Sequence, residues 1–246
     1  MPKFLCCHLL LFFCAKSILI AQTNEDFTLF PRFAIIDDAD GYTNVRDKHK
    51  NIIDKIHRNE IFVYSYMDEP IGKYQPIEWD FSSKYNAIKT GYIHESRIKY
   101  LYQLPLFERT ITDNTAIFER DNIKITITIG VFNIDDKRIR KDPEYGYPLK
   151  IEGYDVWGSD CFSREYPERN TEIKSIKYTI NGVTKQFEKK DILGYLFPCL
   201  NNSFVSIGND NTLYIAMNNG DGAGSYSLLW ILKKDKIIRK ITYLGF

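Results

Sequence analysis

Histidine is scarce in this sequence and is confined to its first 94 residues. The 246-residue chain has four histidines: His8, His49, His57 and His94. Imidazole is the commonest general base in enzymes and the commonest ligand at a catalytic zinc. No histidine follows Cys161 or Cys199, and a cysteine nucleophile needs an adjacent base. With no G-x-S-x-G run and no zinc-spaced cysteine pair, the sequence predicts a non-catalytic protein without metal or cofactor.

The sequence also lacks an excess of charge of either sign. It has 33 basic and 32 acidic residues, which gives a net charge of +1. A domain that binds nucleic acid normally concentrates positive charge on one surface. Nucleic acid is therefore not an expected partner.

A long apolar run occurs only near the amino terminus. There Lys3 precedes the apolar stretch Phe4–Ala15, and Ala21 supplies a small residue before Gln22. A positive start, a short apolar stretch and a small residue at the cleavage point are typical of a signal peptide. The sequence therefore predicts that residues 1–21 are removed on export to the periplasm or cell surface. The mature chain is expected to have no transmembrane segment.

Cysteine is sparse once that segment is removed. Three of the five cysteines lie within it, so the mature chain keeps Cys161 and Cys199. Two cysteines in an oxidising compartment can form one disulfide. The alternative is a pair of buried thiols, and the sequence leaves both interpretations open.

Aromatic residues are abundant and favour strands. The chain has 17 Tyr and 16 Phe, and such side chains suit a pleated, half-buried surface. In the first part of the chain, short apolar segments alternate with turn signals. They include Phe33–Ile36, Tyr42–Arg46 and Ile61–Tyr66. Short strands at close intervals predict a small barrel.

The later part, residues 105–246, predicts an antiparallel β-sandwich or a strongly bent sheet. Ile and Val alternate with smaller or polar residues over Ile123–Val131, which is typical of a half-buried strand. The pair Asn181-Gly182 predicts a type I′ hairpin. Three further strands near the end predict a meander, and the segment Lys189–Leu196 predicts a short helix.

Two motifs in the first part resemble bacterial SH3 domains. Asp40–Arg46 reads D-G-Y-T-N-V-R, which is similar to their opening, and Gly91–Ile98 reads G-Y-I-H-E-S-R-I, which is similar to their ending. Trp79 lies near the place where the family often has a tryptophan on a strand. The resemblance covers about residues 33–100. The segment after Arg46, Asp47–Asn51, departs from the small turn usual in the family.

This resemblance implies a mainly β chain in which an SH3-like small barrel, within residues 22–104, precedes the β-rich residues 105–246. It also implies recognition of a peptide or a peptidoglycan fragment. The candidate ligand-binding residues are aromatic or stand beside an aromatic residue: Tyr42, Tyr66, Trp79, Tyr92 and His94. For Trp79 and Tyr92, a place in the barrel core is the alternative interpretation.

Together these features predict an exported, non-catalytic binding protein. Its partner is expected to be a peptide, a peptidoglycan fragment or an envelope protein. The alternative is a periplasmic inhibitor or immunity-type protein that neutralises a partner enzyme, because small exported β proteins without catalytic residues suit that task as well.

Overall fold

The computed structural model of the protein describes residues 33–58, 60–65, 68–81, 88–133, 138–220 and 224–244. Within these ranges the chain forms nineteen strands in four antiparallel sheets and one four-residue α-helix. The prediction of a mainly β protein is confirmed. The predicted signal peptide, residues 1–21, and the candidate Tyr66 lie outside the described residues.

The first part of the chain forms a seven-stranded sheet. Its strands are β1 (Phe33–Ile36), β2 (Tyr42–Arg46), β3 (Ile52–His57), β4 (Phe62–Tyr64), β5 (Tyr74–Trp79), β6 (Lys89–His94) and β7 (Ile98–Tyr100). Their order across the sheet is β3-β2-β6-β5-β4-β1-β7. The pairing among the described strands does not close this sheet into a barrel.

One face of the seven-stranded sheet encloses its own apolar cluster. The buried members come from six of its strands: Ala34, Ile36, Val45, Ile56, Phe62, Ile77, Trp79 and Ile93. Trp79 is only 8% exposed. Of the two interpretations given for it, a ligand-binding surface and the core, the structure therefore shows the core. Tyr92 is half-buried.

The later part of the chain contributes twelve strands to three sheets. They are β8 (Glu108–Ile111), β9 (Thr115–Arg120), β10 (Ile123–Val131), β11 (Ile139–Lys141), β12 (Pro148–Ile151), β13 (Tyr154–Asp155), β14 (Thr171–Ile180), β15 (Val183–Gln186), β16 (Ser203–Ile207), β17 (Leu213–Asn219), β18 (Tyr226–Lys233) and β19 (Lys236–Tyr243). The sheet orders are β15-β14-β10-β9-β8, β11-β12-β13 and β16-β17-β18-β19.

The five-stranded and four-stranded sheets pack face to face over a large apolar cluster. Ile125 and Ile127 of β10 are fully buried in it, opposite Trp230 of β18. The period-two pattern of β10 is confirmed as far as Thr128, since alternate side chains of a strand point to opposite faces. Beyond it a register shift between Thr128 and Ile129 interrupts the alternation, and Val131 is 55% exposed. The predicted hairpin is also present, with Asn181 at φ 51° and Gly182 at φ 79° between β14 and β15.

The four-stranded sheet is buried on both faces and lies between the other two layers. Its second face joins the seven-stranded sheet through a cluster that includes Phe33 and Val63 on one side and Leu229 and Ile231 on the other. At its edge the Tyr243 hydroxyl donates to Glu78 Oε2 at 3.0 Å. The two parts of the chain therefore share an apolar core.

The only α-helix of the described residues is shorter than predicted. Helix α1 covers Lys189–Ile192, whereas the sequence predicted a helix as far as Leu196. Gly194 has a positive φ of 89°, and a Cβ at this position would lie 2.3 Å from the Asp155 carbonyl oxygen. The chain therefore leaves the helix where it must pass close to the backbone of residue 155.

Two further findings concern the sequence predictions. Cys161 and Cys199, both half-buried, are not joined by a disulfide in this structure. Among the described residues no helix has the length and apolar character needed to cross a membrane.

Candidate functional site

A polar groove opens on the seven-stranded sheet where β2 passes the end of β6. Its volume is about 370 Å³. Ten residues with charged, amide, hydroxyl or aromatic side chains line it: Asp38, Asp40, Tyr42, Thr43, Asn44, Arg46, Tyr74, His94, Ser96 and Arg97. Two of the predicted ligand-binding residues, Tyr42 and His94, are brought together here.

Strand β2 supplies one wall of the groove through alternate residues. Tyr42 is exposed, Asn44 and Arg46 are half-buried, and Val45 between them is fully buried in the core. Because successive side chains of a strand point to opposite faces, burying Val45 turns Asn44 and Arg46 toward the groove. The sequence pattern Y-x-N-x-R thus places three different functional groups in one row.

Gly91 of the second SH3-like motif allows β2 to approach β6 closely. A Cβ at this position would lie 2.5 Å from Val45 Cγ1 and 3.1 Å from the Arg46 carbonyl oxygen. Arg46 pairs with Tyr92 in the antiparallel register of these strands. Glycine is therefore required here by a close backbone approach, and that approach positions the β2 wall.

His94 and Tyr74 form the aromatic floor of the groove. The two residues are paired across β5 and β6, with their rings edge to face and their centroids 5.3 Å apart. The Ser96 backbone N–H donates to His94 Nδ1 at 3.3 Å, and Ser96 Oγ lies 2.8 Å from the same nitrogen. These two contacts fix the orientation of the His94 ring in the groove.

The amino-terminal end of the β2 row carries charges of both signs. Asp38 is buried and forms an ion pair of 2.6 Å with Arg97. Asp38 Oδ1 also accepts the Asp40 backbone N–H at 3.0 Å. Arg58 donates to the Asp38 carbonyl oxygen at 2.6 Å, and Lys55 Nζ lies 4.4 Å from the centre of the Tyr42 ring. Carboxylates and cations therefore stand side by side at this end.

The carboxyl-terminal end of the row is basic. Arg46 donates to the Lys50 carbonyl oxygen at 2.7 Å, and Lys50 Nζ lies 5.9 Å from the centre of the Tyr74 ring. The intervening loop is held by Asp47, which accepts hydrogen bonds from His49 and Asn51. The side-chain hydrogen bond from Asn51 is the largest cause that lowers the pKa of Asp47. The segment that departs from the SH3 pattern thus positions this basic end.

Asn44, in the middle of the row, has a buried acceptor without a partner. Its side-chain Oδ1 forms no hydrogen bond. Among the described residues, two other buried side-chain atoms also lack a partner, Ser206 Oγ and Asn219 Nδ2. Most buried polar atoms in proteins are hydrogen-bonded, so each exception calls for an explanation. Only the Asn44 atom of these three belongs to a residue lining the groove.

The other predicted site residues do not line the groove. Trp79 belongs to the core, with Lys89 Nζ 6.0 Å from its ring. Tyr92 is half-buried, and burial is the main cause that raises the pKa of its hydroxyl. Sequence reasoning missed Asn44, Arg46 and Tyr74. The period-two pattern from Tyr42 could have identified the first two, whereas nothing in the sequence pairs Tyr74 with His94.

A larger cleft of about 520 Å³ lies in the later part of the chain, lined in part by Arg109, Thr112 and Asn201. The guanidinium group in this cleft already forms hydrogen bonds within the protein. Arg109 donates to the carbonyl oxygens of Asn201 at 2.6 Å and Ser203 at 2.9 Å. We therefore favour the smaller groove, where charged and polar groups are left available, over the larger cleft.

No cluster of three or more His, Cys, Asp or Glu side chains within the described ranges could hold a metal ion. Comparisons with protein-family models, with curated proteins and with solved structures gave no match for this chain.

Proposed function

We propose that the protein is an exported, non-catalytic binding protein whose first part, an SH3-like unit, recognises a peptide or a cell-wall fragment. The observation that carries this proposal is the groove itself. It combines the aromatic rings of Tyr42, Tyr74 and His94 with charged side chains at both ends on one small β unit. The aromatic rings offer apolar contact area, and the charged ends fix the position of a ligand.

Two features of the seven-stranded sheet support the SH3-like assignment. Its first strand β1 pairs with its last strand β7, and a short 3-10 turn at Glu95–Arg97 precedes β7. The buried cluster on its inner face contains only residues of this same sheet. A flat sheet cannot cover its own face, so the strands must curve around that cluster.

The later part of the chain would then serve as a rigid support and as a second surface for an envelope partner. The cluster shared by Val63 and Leu229 ties the seven-stranded sheet to the four-stranded sheet. A binding site on such a support keeps its side chains in place, which reduces the entropy lost when a ligand binds.

Binding of the purified chain to peptidoglycan and to isolated stem peptides tests the proposal. The double variant Tyr42→Ala, Tyr74→Ala is expected to reduce binding at least tenfold, because it removes two aromatic contact surfaces. Tyr145→Ala is the matched control, since Tyr145 is 62% exposed and lies outside the groove. No association of the unaltered chain at saturating concentrations would contradict the cell-wall proposal.

Export rests on the sequence of residues 1–21 and has its own test. Amino-terminal sequencing of the protein recovered from the cell envelope should begin at Gln22. Recovery only of a cytoplasmic chain that begins at Met1 would contradict export.

The inhibitor alternative is favoured by one further observation. Edge strand β3 exposes Ile52 at 55% and Ile53 at 50%. Neighbouring exposed apolar side chains on an unpaired strand edge suit a protein partner. Recovery of one stoichiometric enzyme by the chain, lost in the variant Ile52→Asp, would support this alternative. Recovery that is unaffected by Ile52→Asp would exclude this edge as the interface.

A further inference from the structure

Strand β3 forms one edge of the seven-stranded sheet. Among the described strands it pairs only with β2, so no strand lies along its other side. Ile52 and Ile53 on this strand are each at least half exposed. An edge strand with exposed apolar side chains is normally a template for pairing with another chain. The backbone N–H groups of β3 decide whether such pairing can occur.

The register of β2 and β3 shows which N–H groups face the open edge. The Arg58 backbone N–H, directly after β3, donates to the Gly41 carbonyl oxygen at 2.8 Å, so it faces β2. Along an antiparallel strand, successive residues point their N–H groups alternately toward and away from the neighbouring strand. His57 and Lys55 precede Arg58 with no register shift between them. Their N–H groups therefore face away from β2, toward the open edge.

The chain's own carboxylates occupy both of these N–H groups. Asp54 Oδ1 accepts the Lys55 backbone N–H at 2.8 Å, and Glu60 Oε2 accepts the His57 backbone N–H at 2.6 Å. Asp54 Oδ2 accepts from Lys89 Nζ at 3.0 Å, and this second contact holds the carboxylate in place. Hydrogen bonds from N–H groups to carboxylates are stronger than those between neutral groups.

This arrangement opposes the addition of a strand at β3 in two ways. An incoming strand would have to displace both hydrogen bonds before its own carbonyl oxygens could accept from Lys55 and His57. Those carbonyl oxygens would also approach the Asp54 and Glu60 carboxylates, which places acceptors against acceptors. The hydrogen bond from the Lys55 N–H is the largest cause that lowers the pKa of Asp54, so this acceptor stays charged at neutral pH.

A second copy of the chain is the partner that this edge fits best. Two β3 strands can pair antiparallel about a two-fold axis, since such an interface uses the same surface of both copies. That pairing would bring together Ile52 and Ile53 of both copies, which are the exposed apolar residues of this edge.

We propose that the β3 edge is a self-pairing surface that Asp54 and Glu60 keep closed by occupying its two outward-facing N–H groups. This goes beyond the proposed function and does not depend on a ligand in the groove. A protein partner can still contact the side chains of Ile52 and Ile53, but it cannot extend the sheet at β3 while the carboxylates are in place.

Sedimentation velocity over a concentration series tests the proposal with the purified full chain and the double variant Asp54→Ala, Glu60→Ala. Each carboxylate removed is expected to strengthen self-association about tenfold, the size typical of one hydrogen bond to a charged group. The double variant should therefore be dimeric at concentrations where the unaltered chain is monomeric. Neither side chain is buried, so the variants are expected to fold, and the two single variants test the same claim separately.

Two controls separate the occupied N–H groups from charge alone. The double variant Glu108→Ala, Glu119→Ala removes the same charge from exposed positions on the five-stranded sheet and should stay monomeric. Lys89→Met removes the ion pair of Asp54 and leaves the acceptor of the Lys55 N–H, so it should stay monomeric as well.

Amide hydrogen exchange identifies the interface. In the dimer of the Asp54→Ala, Glu60→Ala variant, the amides of Lys55 and His57 should become protected. A double variant that stays monomeric over the whole series would overturn the proposal. Dimers in which these two amides stay unprotected would also overturn it, as would equal self-association of either control. None of these results bears on binding in the groove, which the stem-peptide experiment tests separately.

Discussion

The seven-stranded sheet and the four-stranded sheet use their faces in different ways. Strand β2 of the first has one buried face and one face that lines the groove, so its residues alternate between Val45 in the core and polar neighbours. Strand β18 of the second alternates between two apolar clusters, with Trp230 in one and Ile231 in the other. A sheet with a solvent face can hold a binding site, whereas a sheet buried on both faces serves stability.

Hydrogen bonds from aromatic side chains stabilise the four-stranded sheet. Its Tyr226 hydroxyl donates to the Leu196 carbonyl oxygen at 2.6 Å, and Trp230 Nε1 donates to the Asp191 carbonyl oxygen at 3.0 Å. Buried polar atoms without a partner occur in both sheets, with Asn44 Oδ1 in the first and Ser206 Oγ and Asn219 Nδ2 in the second. The two sheets therefore differ in how their faces are covered and not in how completely their polar atoms are satisfied.

Truncation of the central tryptophan should have the largest effect. Trp230 is fully buried between the two later sheets, so Trp230→Ala is expected to lower the free energy of unfolding by ~3–5 kcal/mol. Urea unfolding followed by circular dichroism measures the change. Tyr145→Ala, at an exposed position, should change it by less than about 0.5 kcal/mol. Equal effects of the two substitutions would contradict the central role of the four-stranded sheet.

Alkaline pH should destabilise the same sheet. Burial raises the pKa of Tyr214 to about 12, above the ordinary value of about 10. Because its pKa is raised in the folded state, Tyr214 ionises first in the unfolded chain as pH rises. The contribution of the neutral Tyr214 hydroxyl to folding stability is therefore complete below pH 10 and is lost as pH rises toward 12. The loss is ~2.7 kcal/mol, at 1.36 kcal/mol for each pKa unit. Tyr214→Phe should flatten the decline in unfolding free energy over this range, and an unchanged decline would contradict the assignment.

A methyl group at position 91 should damage both stability and binding. Gly91→Ala places a Cβ against Val45 and the Arg46 carbonyl oxygen, at an expected cost of ~1–3 kcal/mol. Because the same contact positions the β2 wall, binding of stem peptides should fall as well. Gly153→Ala offers a comparison, since nothing lies within 4 Å of its Cβ, although its φ of 88° adds strain. That variant should lose stability without losing stem-peptide binding.

Replacing the unsatisfied amide should raise stability. Asn44→Leu removes a buried acceptor that has no partner, so it is expected to raise the free energy of unfolding by ~1 kcal/mol. Urea unfolding of the variant and of the unaltered chain measures the difference. A variant that is less stable than the unaltered chain would show that Asn44 supports the fold.

Sequence reasoning predicted the local features that depend on one strand or one turn. The alternation of Ile125 and Ile127 and the pair Asn181-Gly182 are examples, because each pattern reflects a single buried face or a single turn geometry. It could not predict which layers cover a strand. The almost continuous burial of β17 and β18 follows from sheets on both sides, and that arrangement depends on contacts between distant parts of the chain.

The candidate site was predictable to a similar extent. The motif around Tyr42 and the motif around His94 both lie where the groove opens. Trp79 looked equally suitable for a binding surface, and only the packing of the sheet shows that it is buried. Tyr74 reaches the groove through its pairing with His94 across two strands, and such a register cannot be obtained from either segment alone.

The most direct test of the account is a titration of the ¹⁵N-labelled full chain with free-ended stem peptides, followed by NMR. The account predicts saturable shifts at the backbone amides of Asn44, His94 and Ser96, with little change in strands β17 and β18. Shifts confined to residues 138–220, or no shifts at millimolar peptide, would contradict the claim that the groove on the seven-stranded sheet is the binding site.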